Sequence, residues 1–192
     1  MTRDFRAYWS AEVTSVFGSM FTLTAIGIVA VETFDATPGQ IGLITAAATV
    51  PVILFGLASG ALADRARRPR RLLVACDAAG GLAALAVAVG LWSGRATLWW
   101  LVALSFVLGT VATVVSPVYF THLSSVLGAG TATGEDRTTA LVRGRARLQS
   151  GQYGARIGGR AAAGPVIALL GAASGFLVDA VSYLVSLVLL LL

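Results

Sequence analysis

Gly60-Ala-Leu62-Ala-Asp64-Arg65-Ala-Arg67-Arg68-Pro-Arg70-Arg71 is the stretch on which the reading of this chain turns. It closes a largely apolar run from about Ile41 to Ala63, which carries Pro51 in its middle, and replaces it within a few positions by five arginines. A helix of ~20 apolar residues is what crosses the ~30 Å hydrocarbon core of a bilayer. Arginines crowded directly behind such a run mark its cytoplasmic end. The stretch therefore predicts a membrane helix and its stop, with a proline kink inside the helix.

The same alternation extends in both directions. Apolar runs at about Tyr8 to Val31, Ile41 to Ala63, Leu72 to Trp92, Leu98 to Phe120, Leu148 to Leu170 and Ala172 to Leu192 predict six transmembrane helices in one domain, residues 1–192. Composition agrees: 57% of the 192 residues are hydrophobic and 12% charged, with a mean hydropathy of +0.84, outside the usual mixture of soluble domains. A signal peptide is the weaker reading of the first run, because Glu12 interrupts it and no small-x-small cleavage site follows. Ser93 to Thr97 predicts a tight turn flanked by Trp92, Trp99 and Trp100 as an interfacial belt. Thr121 to Arg147 is expected to be the one sizeable polar loop, flexible around Gly128 to Asp136. The last run ends at Leu192 without a charged tail, which suggests a truncated chain or one lacking a second half.

All 14 basic residues are arginine, against 9 acidic residues, for a formal charge of +5. Such a balance fits nucleic acid only if the charge forms a binding face, and here it does not. Arg3 and Arg6, the five arginines from Arg65 to Arg71, and Arg137, Arg143, Arg145 and Arg147 fall on one side of the predicted topology, with Arg95 alone on the other. The expectation is a multi-pass protein of the cell (inner or plasma) membrane with both termini cytoplasmic, lipid as its solvent and no nucleic-acid partner. The lone Cys76 and lone His122 offer neither a disulfide nor a metal site, and no cofactor is expected. No protease dyad in a recognisable context is present either, so no enzymatic activity is expected.

The Gly60 to Arg71 stretch resembles the signature of the major facilitator superfamily, a Gly-x-Leu-x-Asp-Arg core followed by basic residues between helices two and three. Similarity extends to Phe5-Arg6, Trp9 and Ser15-Val-Phe17-Gly18-Ser19 in the first helix, and to Ala36 through Leu43 in the first outer loop. Leu73-Val-Ala-Cys-Asp77, Phe106-Val-Leu-Gly109 with Ser116-Pro117, and Phe176 through Ser186 match later helices. These segments look like the macrolide- and siderophore-exporter branch, with departures at Gly159-Arg160 and Arg156 and an insertion at Gly128 to Asp136. The resemblance covers nearly the whole chain but half of the usual twelve helices. It implies an all-α bundle of two inverted three-helix repeats that rocks against a second bundle, and Gly60, Asp64, Arg65 and Arg68 as its conformational motif. Gly60 would admit a close helix neighbour, Asp64 would cap a helix or pair with arginine, and the basic cluster would anchor the loop at headgroups.

Helix five carries the other pattern. Gln149, Gln152, Tyr153, Arg156 and Arg160 share one face, and Gly154, Gly158 and Ala162 form a small-residue stripe roughly opposite, suited to close packing. Each arginine near mid-membrane costs at least ~2.5–3.5 kcal/mol, so the pair should meet a cavity, a carboxylate or an anionic cargo. Alternatively, Arg156 lies near the interface and snorkels. Glu12 either pairs with such an arginine or carries a proton. The candidate cargo-contacting residues are thus Glu12, Gln149, Gln152, Tyr153, Arg156 and Arg160. The resemblance places helices three and six at the periphery, giving Asp77 and Asp179 structural roles. It implies a secondary transporter exporting an amphiphilic small molecule by proton antiport, working with a second six-helix half or as a homodimer. The alternative is a membrane interaction protein or a remnant of a twelve-helix transporter that transports nothing.

Overall fold

The computed structural model describes the backbone of residues 3–65, 69–128 and 134–191, and side chains within 9–60, 71–117 and 142–189. These residues form six α-helices and no strand: α1 (Arg3–Glu32), α2 (Pro38–Arg65), α3 (Pro69–Trp92), α4 (Leu98–Gly128), α5 (Gly134–Leu170) and α6 (Ala173–Leu191). Four are long and apolar enough to cross a membrane, over Trp9–Glu32, Pro38–Gly60, Arg71–Trp92 and Leu98–Pro117; α6 adds a shorter apolar segment, Ala173–Leu189. The described part of α5 is too polar to join them, because glutamines and arginines occupy one of its faces.

The helix ends follow local chemistry. Thr37 Oγ1 accepts from the Gln40 amide at 3.4 Å while Gln40 Oε1 accepts from the Thr37 amide at 2.8 Å. That reciprocal capping box, with Pro38 as first helical residue, starts α2. Helix α3 ends on Gly94, whose φ of 66° lets the Arg95 amide reach the Gly90 carbonyl and the Gly94 amide reach Leu91. Where a loop is expected between Thr121 and Arg147, α4 runs on to Gly128 and α5 starts at Gly134. Hydropathy falls there, but Ala, Leu and Arg remain good helix formers and Glu135 and Asp136 suit a helix start. The bilayer edge and the helix end are different places.

In packing, α1 lies against α5 and α6, α4 against α2 and α3, and α3 against α6, with lighter contact between α1 and α4 and of α5 with α4 and α6. Missing side chains set the closest approaches. A Cβ on Gly109 of α4 would strike the Ala48 carbonyl of α2, and one on Gly159 of α5 would stand 2.8 Å from the Phe17 carbonyl of α1. The packed stripe of α5 is Gly151, Ala155, Gly159 and Ala163, all facing inward. This corrects the expected stripe: Gly154 has nothing within 4 Å of where its Cβ would stand, a Cβ on Gly158 would meet only the Phe17 ring edge at 3.9 Å, and Ala162 alone packs against the core.

The apolar core gathers Phe21, Ala25 and Val29 of α1 with Val87, Leu101, Leu104, Ile167 and Phe176. All lie toward the end of the bundle that holds the short turns before α2, α4 and α6. Helix α2 is the least covered, with Ile53 80% and Leu57 95% exposed.

Candidate functional site

The other half of the bundle is hollow. A cavity of about 590 Å³ runs from Glu12, Ser116 and Arg145 down to Ile26 and Ser105. Helices α1, α4 and α5 supply most of its wall, at positions spaced three and four apart as one helix face requires. The lining is amphipathic: Val16, Met20, Leu23, Leu108, Val111 and Val115 are interleaved with serines, glutamines, Glu12 and two arginines.

Of the six candidates, Glu12, Gln149, Gln152 and Arg156 line this cavity together. The Gln152 side-chain amide donates to Glu12 Oε1 at 2.6 Å, joining α5 to α1 across the wall, and Glu12 is only 7% exposed. Trp9 of α1 secures the same pair of helices by donating from Nε1 to the Arg147 carbonyl at 3.2 Å. The Arg156 guanidinium carbon stands 5.7 Å from the centre of the Tyr153 ring, a cation–π distance. Tyr153 and Arg160 are outside the lining: Tyr153 is 60% exposed, and Arg160 is exposed a turn beyond Arg156. A helical face is about a hundred degrees wide, and these two sit on its outer margin.

Gly60 is half-buried, and no described atom comes within 4 Å of the place a Cβ would take, so the close neighbour expected there is not made by a described residue. The side chains of Asp64 and Arg65, and Arg68 altogether, lie outside the described residues.

Two lining residues come from helices expected at the periphery: Asp77 of α3 and Tyr183 of α6. Their signal in the sequence was a carboxyl and a phenol set in apolar runs. Asp77 Oδ2 accepts from Ser186 Oγ at 2.7 Å. Behind them, Asp179 Oδ1 accepts from Ser19 Oγ at 3.4 Å and Ser182 Oγ at 3.3 Å.

Long apolar helices wrapped around a polar-lined hollow are the build of a membrane protein, since lipid-facing backbone must be satisfied within helices and polar groups turn inward. The whole chain, residues 1–192, matches the transmembrane secretion effector family of the major facilitator type, and it belongs to that family. It is a membrane protein, and the family is one of transporters rather than enzymes. No curated protein and no solved structure matches the chain.

Proposed function

We propose that this chain forms a six-helix bundle of a proton-coupled exporter for amphiphilic small molecules, of the macrolide- and siderophore-exporter kind. The observation that carries the reading is the mixed lining of the cavity: one molecule can rest its apolar part on Met20, Leu23, Leu108 and Val115 while Glu12, Gln149, Gln152 and Arg156 fix its polar end.

The helix pairings support two inverted three-helix repeats. Exchanging α1, α2 and α3 for α4, α5 and α6 turns the α1–α5 seam into the α4–α2 seam and the α1–α6 seam into the α4–α3 seam, and leaves α3–α6 unchanged. In this arrangement α5 is the sixth crossing despite its polarity, because its arginines face the hollow or the bundle surface rather than lipid alone. Both termini lie in the cytoplasm of the cell membrane, so the end of the cavity lined by Glu12, Ser116 and Arg145 faces inward. The bare faces of α2 and α5 meet a second six-helix bundle, another copy or a separate half, against which this one rocks.

The test is efflux of an amphiphilic fluorescent dye from proteoliposomes bearing an imposed proton gradient. Gradient-dependent efflux that falls in Arg156→Leu supports the reading; gradient-independent leakage unaltered by that change refutes it.

A further inference from the structure

Two carboxyls, Asp77 and Asp179, are buried in the seams of α6 with α3 and α1, at 5% and 0% exposure, with hydroxyls against them: Ser186 on Asp77, and Ser19 and Ser182 on Asp179. The face of α6 turned toward them repeats a polar group at Asp179, Ser182, Tyr183 and Ser186, the 0, 3, 4, 7 spacing of one helix stripe. Asp179 Oδ2 and Thr22 Oγ1 of α1 are buried beside one another without a hydrogen bond of good geometry, so the Thr22 hydroxyl is the weak partner of that oxygen. A charged carboxylate held in a dry seam against hydroxyls alone is poorly compensated for the water it has lost. The seam as built therefore asks for a positive charge.

The route to it is also laid out. Ser19, Asp77 and Tyr183 line the cavity, whereas Asp179 does not. Tyr183 Oη and Ser19 Oγ stand 3.5 Å apart, and Ser19 Oγ donates onward to Asp179 Oδ1. With the serine hydrogen committed to the carboxyl, the phenol is the donor to the serine, so the three groups form a directed chain from cavity wall to buried acid. Asp77 stands near the other end of the stripe, held by Ser186, about two helical turns or ~10 Å along α6. The Tyr183 ring is seated between them on Gly80 and Gly81 of α3, where a Cβ on Gly80 would come 2.8 Å from the ring.

We infer that Asp179 is a proton-binding site of this protein, loaded from the cavity through Ser19 and Tyr183, with Asp77 as a second acid on the same stripe. On loading, a hydronium in the cavity gives up one proton and becomes water, and the Asp179 carboxyl gains that proton and loses its charge. A proton rather than a metal cation fits because the seam is filled. A Cβ on Gly18 would strike Ser182 and stand 3.0 Å from Asp179 Oδ1, leaving no volume for an ion and its ligand shell. Among the described residues no three His, Cys, Asp or Glu side chains gather either. The ionisable groups around the site are Cys76 and Asp77 of α3, Glu12 of α1, Tyr183 of α6, and Arg145 and Arg156 across the cavity on α5; the described parts of α2 and α4 bring none.

The inference deepens the transport reading and rests on it for purpose, but its test needs no transport. Infrared difference spectra of the purified chain in liposomes, taken between acid and alkaline pH, read the carbonyl stretch of protonated carboxyls directly. The expected result is a buried-acid band that titrates, loses one component in Asp179→Asn and another in Asp77→Asn, and survives Glu12→Gln. If the Asn variants fold poorly, Ser186→Ala and Ser19→Ala keep both acids: each should move its own component of the band to higher frequency by removing one hydrogen bond. A band abolished by Glu12→Gln and indifferent to the other four changes overturns the assignment. So does a band erased by sodium chloride at fixed pH and ionic strength, which would make the site one for sodium.

Discussion

At Glu12 a carboxyl sits in an apolar helix with the Gln152 amide against it at 2.6 Å, and Arg156 shares the same cavity wall. Replacing Gln152 with Leu removes one hydrogen bond from a buried carboxyl, which costs about 1–3 kcal/mol. Thermal unfolding in detergent should show the loss, and Glu12→Gln combined with Gln152→Leu should recover part of it. Arg156→Lys keeps the charge but forfeits the planar contact with Tyr153, so dye efflux should fall less than in Arg156→Leu. Much of this was legible beforehand: the face shared by Gln149, Gln152 and Arg156 follows from helical period alone, and Glu12 announces itself by interrupting an apolar run. Asp77 and Tyr183 were equally visible as polar residues in apolar runs, but their place at the cavity wall was not. Periodicity ranks residues around one helix axis and says nothing of which helix stands opposite.

The helices themselves were marked by hydropathy, and the tight turn read at Ser93 to Thr97 falls where the sequence puts it, closed by Gly94. The extensions of α4 to Gly128 and α5 back to Gly134 were hidden, because hydropathy reports lipid contact and not backbone hydrogen bonding. The packed stripe of α5 was misplaced by one position for a related reason: Gly151, Gly154, Gly158 and Gly159 are alike in composition, and only the neighbour α1 tells them apart. That difference is measurable. Gly159→Leu forces a side chain into Phe17 and Met20 and should destabilise the protein by about 1–3 kcal/mol, whereas Gly154→Ala meets open space and should stabilise it by up to about 1 kcal/mol through helix propensity. Chemical or thermal unfolding of the two variants side by side checks the sign of each.

For the molecule as a whole, the arginine distribution and the proposed topology make a prediction about access. In a chain whose Cys76 is replaced by Ala, Arg95→Cys should react with a membrane-impermeant maleimide in intact cells, and Arg143→Cys only after permeabilisation. The reverse pattern would turn the bundle over and place the Glu12 and Arg145 end of the cavity outside. The well-packed end built on Phe21, Val29, Leu101, Ile167 and Phe176 bears on what any orientation can achieve. That packing floors the hollow near Ile26, so a molecule resting there has protein beneath it rather than open space. Under the proposed cycle, cargo would reach the far shore only once that floor gives way.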